Sequence, residues 1–376
     1  MSKYDWIIVG AGFTGATLAE RIASVLDNKV LVIDKRNHIA GNAYDELIGE
    51  NVFLHKYGPH IFHTNSEKVW AYLSRFTAWR PYFHRVRGSV DGQLVPIPFN
   101  LDSIMDVFPS AMANRIVENL LSEFKFNEKV PILKLRSSAS SELGFLAEYV
   151  YEKVFKNYTK KQWDLLPEEL DAGVTARVPV YLSRDDRYFQ DRFQAMPLHG
   201  YHAMFDKMLA HPNITVETGA SWQDSKYTDL KTPVIFTGPI DEFFNYEFGT
   251  LPYRSVEFRQ VETSMWAAPD IGTVNFPNEY DFTRITDMGV LSGASSGSKL
   301  LIAEYPSAHV AGVNEPYYPV PTSGTSEALA PYQQRSRELG SQVVFAGRLG
   351  DYAYYNMDQA CARALALFDK VIAPAA

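Results

Sequence analysis

The sequence predicts an α/β fold built on a Rossmann-like sheet that is begun at the N-terminus and completed at the C-terminus, with a helical region and an antiparallel sheet inserted between. Three observations predict it. Residues 4–35, YDWIIVGAGFTGATLAERIASVLDNKVLVIDK, run as short apolar strand, glycine turn, helix and second apolar strand. Residues 343–368, VVFAGRLGDYAYYNMDQACARALALF, repeat the order of strand, glycine turn and helix. Between them, residues 101–172 carry apolar side chains near helical spacing, as in SELGFLAEYVYEKVFKNYTKKQW, and residues 250–320 alternate as antiparallel strands do, most clearly in PYRSVEFRQVE.

Taken in order, DWIIVG (5–10) and VLVID (30–34) are the strands of a βαβ unit, and Gly10-x-Gly12-x-x-Gly15 lies between them. The first glycine permits the tight turn, the second lets backbone approach a pyrophosphate, and the third lets helix and strand pack closely. Asp34 ends the second strand, where a ribose hydroxyl would need an acceptor. Strand, helix and acid in these positions together predict a dinucleotide site. HKYGPHIFHTN then brings His55, His60 and His63 close in sequence, but with neither cysteine nor a well-spaced carboxylate the set predicts no metal. The Gly58-Pro59 turn suggests instead a loop held against a ligand.

Residues 176–200 lack long periodicity and hold Arg177, Arg184, Arg187 and Arg192, so the stretch near 177–195, flanked by Gly173 and Gly200, is expected to be a mobile loop. LSGASSGSK (291–299) reads as a flexible turn. The strand 343–345 is expected to rejoin the N-terminal sheet, bringing a helix N-terminus near 356–358 towards the cofactor. Such a return is typical of FAD-binding folds rather than of NAD dehydrogenases.

Composition narrows the function classes. A chain of 376 residues suggests two or three domains, and its 46% apolar content is that of a globular protein without a membrane span. The start lacks the pattern of an export signal, and the single Cys361, expected as a buried structural thiol, fits a reducing cytoplasm. A net charge of −8 argues against a nucleic-acid partner. Aromatics at 14% are plentiful, and several lie beside cations or hydroxyls: NYTKKQW, TARVPVYLSRDDRYFQDRF, FTRI, EPYYPV and GRLGDYAYYNMDQ. Rings that stack on a base, arginines that fork onto a diphosphate and tyrosine hydroxyls are what a nucleotide sugar needs, which points to a second site.

From residue 4 to about residue 360 the chain resembles the flavin-dependent UDP-galactopyranose mutases, on VIDKRNHIAGNAYD, KYGPHIFHTN, VPIPFN, YTKKQW, RVPV, DDRYF, TGPIDEFF, PYRS, EYP, EPYYPV and GRLGDYAYYNMDQ. The resemblance implies a discontinuous FAD domain (1–80, 200–240 and 335–376), a helical domain (100–175) and a twisted antiparallel sheet domain (81–99, 176–199 and 241–334), with substrate bound in a cleft between them. It implies FAD contacts from Gly10, Gly12, Thr14, Gly15, Asp34, Lys35, Asn42, His60, Ile61, Val216, Arg348, Tyr355, Asn356, Met357, Asp358, Gln359 and Ala360. Phe155 and Tyr158 would border the uracil. His84, Trp163, Tyr188 and Asn275 would line the rest of the substrate site, and Arg177 and Arg284 would reach the pyrophosphate with Tyr318 and Tyr354. Arg177, Arg284 and His60 are the implied catalytic residues. The chain departs from the family pattern at Ala40 (for the first glycine of GGN), Ala346 (in GGRL), Tyr181 (for a second loop arginine) and Asp281-Phe282 (for Pro-Tyr).

The activity implied is interconversion of UDP-galactopyranose and UDP-galactofuranose by a cytoplasmic homo-oligomer, with N5 of reduced FAD attacking the anomeric carbon in a reaction that is redox-neutral overall. Three alternatives stay open: a mutase for another nucleotide sugar, an FAD-dependent amine oxidase, which would release hydrogen peroxide, and a non-catalytic nucleotide-sugar binder.

Overall fold

The computed structural model describes residues 3–170, 179–224, 226–227, 231–266, 270–294, 298–320 and 322–375. The chain divides into two compact units, the first made of residues 1–81, 191–255 and 309–376 and the second of 82–190 and 256–308. The regions expected to be helical and antiparallel thus fall mainly in the second unit, and the first takes in more chain on either side of 200–240 than the sequence suggested.

The first unit is organised by a five-stranded sheet in the order Ile214–Thr218, Val30–Asp34, Trp6–Val9, Val234–Phe236, Val343–Phe345. Every pairing in it is parallel. Val30–Asp34 is buried along its whole length, which is why it reads as a continuous apolar run rather than an alternation. The C-terminal strand does rejoin the N-terminal sheet, with Val234–Phe236 interposed between it and Trp6–Val9. Behind the sheet, the helix Phe13–Leu26 packs on Met357–Leu367, and the Thr17 hydroxyl reaches the Cys361 sulfur at 3.7 Å. Burial pushes that thiol up to about 12, so Cys361 is an inert core residue as expected.

The second unit combines a sheet with a helical layer. Val86–Val90 and Gln93–Ile97 form a hairpin turned by Asp91-Gly92, both at positive φ as a two-residue type I′ turn requires. Thr273–Asn275 pairs antiparallel with Arg284–Asp287, which pairs antiparallel with Leu301–Ala308. The sheet is not wholly antiparallel, because Thr273–Asn275 lies parallel to Val86–Val90. These two strands are far apart in sequence, so no hairpin dictates their direction.

The helices Leu101–Val107, Ser110–Glu123 and Ser141–Val150 bear out the helical reading of 101–172. Ala113, Ile116 and Leu120 form the buried stripe of the second of them, and the core beneath joins helix residues to Val86, Val90, Val95 and Ile97 of the hairpin. The stretch read as a flexible turn begins inside a short helix, Met288–Ser292, capped by the Asp287 carboxylate and closed by Gly293 in the left-handed region. Its residues 295–297 lie outside the described residues. Among the described residues no helix is long and apolar enough to cross a membrane.

Candidate functional site

The first unit holds a cleft of about 220 Å³, open at its mouth and lined by the ends of the parallel strands and the loops that follow them. Gly10, Gly12, Thr14, Asp34, Lys35, Asn42, His60, Arg348, Asn356, Met357 and Ala360 all line it. The three glycines have separable reasons. At Gly10 (φ +100°) a Cβ would meet Thr237 Oγ1 at 2.1 Å, and at Gly15 it would meet the Gly10 carbonyl oxygen at 1.9 Å, so both are required by the chain's own packing. At Gly12 the nearest atom to a Cβ is Gly41 Cα at 3.7 Å, an ordinary contact. The protein itself does not need a glycine there. A pyrophosphate lying on that backbone does, so the residues present fit a bound dinucleotide.

Asp34 is buried, and its two oxygens accept the Ala11 N–H at 2.8 Å and the Arg36 N–H at 2.9 Å. The carboxylate therefore pins the glycine turn to the second strand, and each oxygen keeps a second lone pair for a ribose. Opposite, the helix Met357–Leu367 presents its N-terminus through Asn356, whose N–H is bonded to Gln359 Oε1 at 2.9 Å, so Gln359 acts as a cap rather than as lining. Asp358 accepts from the Thr64 hydroxyl at 2.9 Å. Arg348 donates to the Tyr355 carbonyl at 2.6 Å and to the Tyr317 carbonyl at 3.3 Å, tying this helix's approach to the 315–317 loop. Gly15, Ile61, Val216, Tyr355, Asp358 and Gln359 are not among the lining residues, and Val216 sits on the outer strand beside Val32.

Two of the family departures sit beside this cleft. Ala346 has extended backbone (φ −155°), where alanine serves as well as glycine, whereas Ala40 takes φ 72° in the left-handed region, which a side chain enters only at a cost.

The three histidines part company. His55 is buried, its Nδ1 accepting the His60 N–H at 3.0 Å, and burial together with His60 pushes it down to about 3. His60 Nδ1 faces the Gly58 carbonyl at 2.7 Å, and His63 pairs with Asp191 at 2.9 Å. Among the described residues no cluster of His, Cys, Asp or Glu could hold a metal ion.

The substrate candidates are divided between the units. Tyr318 and Tyr354, in the first, stack at 5.3 Å with the Arg348 guanidinium 5.2 and 5.8 Å from their rings. In the second, Asn275 and Arg284 are direct partners across adjacent strands. The Arg284 Nε donates to Glu304 at 2.7 Å, and Glu304 is buried, so the fork is held from behind. The Asn275 side-chain oxygen is buried without a hydrogen-bond partner among the described residues, as a group awaiting a ligand would be.

Phe155, Tyr158 and Trp163 share one continuous run of helix, which widens to a π-turn over Tyr151–Phe155. Phe155 is only 6% exposed and belongs to the helical layer's core, while Tyr158 is half-buried. The Lys161 ammonium on the same helix donates to the carbonyls of Phe276, Glu279 and Phe282, pinning the turn that leads into Arg284, and burial lowers its pKa. His84 is buried with Tyr82 Oη at 3.1 Å and the Tyr188 ring edge-on at 6.0 Å. Arg177, with Gly173, lies outside the described residues. From residue 179 on, the expected mobile loop contains the strand Pro179–Tyr181, paired with Lys129–Pro131. Sequence reasoning missed Arg36, Glu315, Lys161 and Glu304 as site residues. All four stand inside motifs it had singled out, but a motif does not say which residue faces which.

A family model described as UDP-galactopyranose mutase matches residues 153–354, and one described as NAD(P)-binding Rossmann-like domain matches residues 8–76. A probable UDP-galactopyranose mutase of Klebsiella pneumoniae is 34% identical, over 100% of this chain and 97% of its own length. A dTDP-fucopyranose mutase of Escherichia coli is 33% identical, over 94% of each chain. A crystal structure of reduced UDP-galactopyranose mutase shares the fold with a TM-score of 0.70 at 14% identity, covering 100% of this chain and 95% of that one. A putrescine oxidase shares it at 0.53 and 12%, covering 98% and 99%.

Proposed function

This chain belongs to the UDP-galactopyranose mutase family, and from that premise we propose that it interconverts UDP-galactopyranose and UDP-galactofuranose with FAD held in the cleft of the first unit. The observation that carries the reading is the open approach at Gly12, which with Asp34 and the N-terminus at Asn356–Met357 would serve as a pyrophosphate-and-ribose cradle. The flavoenzyme neighbours support FAD as the dinucleotide. When bound and reduced, the flavin would supply N5 as a nucleophile towards the anomeric carbon, and its electrons would not be consumed.

The chain's own residues bind, orient and stabilise charge. Arg284, held by Glu304, would set its guanidinium charge against the diphosphate, whose charge grows as its bond to the sugar breaks, and Arg177 is proposed to join it. Tyr158, half-buried, gives the base a ring surface, whereas Trp163 is only 9% exposed and has little face to offer, and Lys161 fixes their helix against the turn before Arg284. Asn275 supplies an unused acceptor for a substrate hydroxyl or amide. His60 shapes the cleft wall through its bond to Gly58, a positioning part rather than proton transfer.

The 33% identical dTDP-fucopyranose mutase keeps a second substrate in view, a thymidine diphosphate 6-deoxyhexose. Dithionite-reduced protein should be incubated with each nucleotide sugar and the furanose products measured. Higher kcat/KM for UDP-galactopyranose is expected. Turnover of dTDP-fucopyranose alone would transfer the reading to that sugar, and turnover of neither would remove it.

A further inference from the structure

We propose that Glu315, with Lys35 and Arg36, forms an ionic clasp across the mouth of the dinucleotide cleft that sets how slowly the bound dinucleotide leaves. Lys35 and Arg36 follow Asp34 directly, and Glu315 opens the loop Glu315-Pro316-Tyr317; the two segments line the same cleft, with Arg36 and Glu315 lying 279 positions apart in the chain. The Lys35 Nζ and an Arg36 Nη each lie 3.3 Å from Glu315 Oε2. Arg36 is preset for this contact: its other Nη donates to Asn42 at 2.9 Å and its guanidinium lies 4.1 Å from the centre of the Tyr57 ring. The loop is preset too, since the Tyr317 N–H donates to the Arg254 carbonyl at 2.8 Å and the Tyr317 carbonyl accepts from Arg348. Two braced segments that both line the cleft are thus joined by one carboxylate.

The chemistry makes the link conditional. Burial alone would raise the Glu315 carboxyl, but Lys35 and Arg36 outweigh it and hold it below the usual range, so it stays ionised at neutral pH. Glu315 is 40% exposed and Lys35 47%, so the contact is within reach of salt. On this reading the joined segments hold the lined cleft closed over a bound ligand, and Glu315 acts on the dinucleotide as a positioning residue.

The inference rests on the dinucleotide reading, and the test separates the two. Wild type and Glu315→Gln, each loaded with FAD, are diluted and FAD release is followed by fluorescence at low and high sodium chloride. Release from Glu315→Gln is expected about tenfold faster at low salt, from two partly exposed ion pairs. Salt should speed release from wild type towards the variant's rate and leave the variant nearly unchanged, with the apoprotein melting temperatures alike. Equal or slower release from the variant overturns the clasp while leaving the FAD site intact. If Glu315→Gln does not fold, the exposed Lys35→Gln takes its place, and salt-independent release from wild type overturns the clasp without any variant. A wild type that takes up no FAD removes the dinucleotide reading and the clasp with it.

Discussion

The proposed grip on a pyrophosphate in the first unit works through main chain, and the candidate nucleotide-sugar residues of the second unit work through side chains. In the first, a glycine turn, a strand end and a helix N-terminus line the space, and the Asp34 carboxylate accepts from two backbone N–H groups. In the second, a guanidinium is braced by a buried carboxylate, an ammonium by three carbonyls, and aromatic rings ride on a helix widened by a π-turn. A pyrophosphate is gripped alike in any dinucleotide, so backbone suffices for it. Base, sugar and leaving diphosphate have to be told apart, and only side chains carry that information.

The largest effect that can break this contrast is at the glycines. Gly15→Val should prevent folding or strip the flavin together with stability, because its Cβ would sit on the Gly10 carbonyl. Gly12→Val should keep the apoprotein's melting temperature close to wild type and lose FAD. Parallel thermal melts and flavin content check the pair. A Gly12→Val protein with full flavin would show that the cleft does not use that backbone.

The aromatics come next. Phe155→Ala opens a cavity in the helical layer and should cost about 3 to 5 kcal/mol of stability, so its effect on nucleotide binding is not separable from packing. Tyr158→Ala should instead weaken UDP by about 1 to 3 kcal/mol with stability and flavin content preserved, as for a ring that stacks on a base. Calorimetric titration with UDP beside urea unfolding decides. Unchanged UDP affinity in Tyr158→Ala would remove that ring from the site.

Arg284→Ala should lower turnover by more than about a hundredfold (~3 kcal/mol) with normal flavin. It also leaves Glu304 as a buried unpaired charge, so Arg284→Ala with Glu304→Gln is the cleaner comparison. Arg284→Lys should recover little, since an ammonium lacks the forked geometry. Full activity in the double variant would make the arginine a structural partner of Glu304 only.

The smallest effect probes a side chain inside the main-chain region. His55 stays neutral when folded, while an unfolded histidine protonates near pH ~6.5. Between about pH 6.5 and 3 the unfolded chain binds more protons, so wild-type stability falls with pH by up to about 1.4 kcal/mol per unit from this group. Burial raises the Asp45 and Asp241 carboxyls, which act in the opposite sense, so the readout is the slope difference between wild type and His55→Asn. Identical slopes would show that His55 is not buried neutral.

The same contrast explains what was legible in the sequence. Gly10, Gly12, Gly15 and Asp34 could be read directly, because backbone geometry forces residue type and spacing at short range. The return of Val343–Phe345 could be read from its repeat of strand, turn and helix, and the resemblance that includes TGPIDEFF puts 200–240 in the same domain. That Val234–Phe236 lies between Val343–Phe345 and Trp6–Val9 could not be read, since a local motif does not encode strand order. Nor could the parallel pairing of Thr273–Asn275, since no local turn encodes it. In the second unit the aromatic and basic motifs were visible, but Phe155 facing the core depends on how the helical layer packs on the hairpin, and Lys161 facing three carbonyls depends on a turn more than a hundred residues away, neither of which helical spacing alone determines.

The central claim is that the bound flavin must be reduced and is not consumed. Holoenzyme, oxidised or stoichiometrically reduced, is given excess UDP-galactopyranose under anaerobic conditions while furanose product and flavin absorbance are followed together. The account predicts product only from the reduced form, over many turnovers per flavin, with the flavin still reduced at the end. Equal turnover by oxidised protein, or reoxidation of one flavin for each sugar converted, would contradict it.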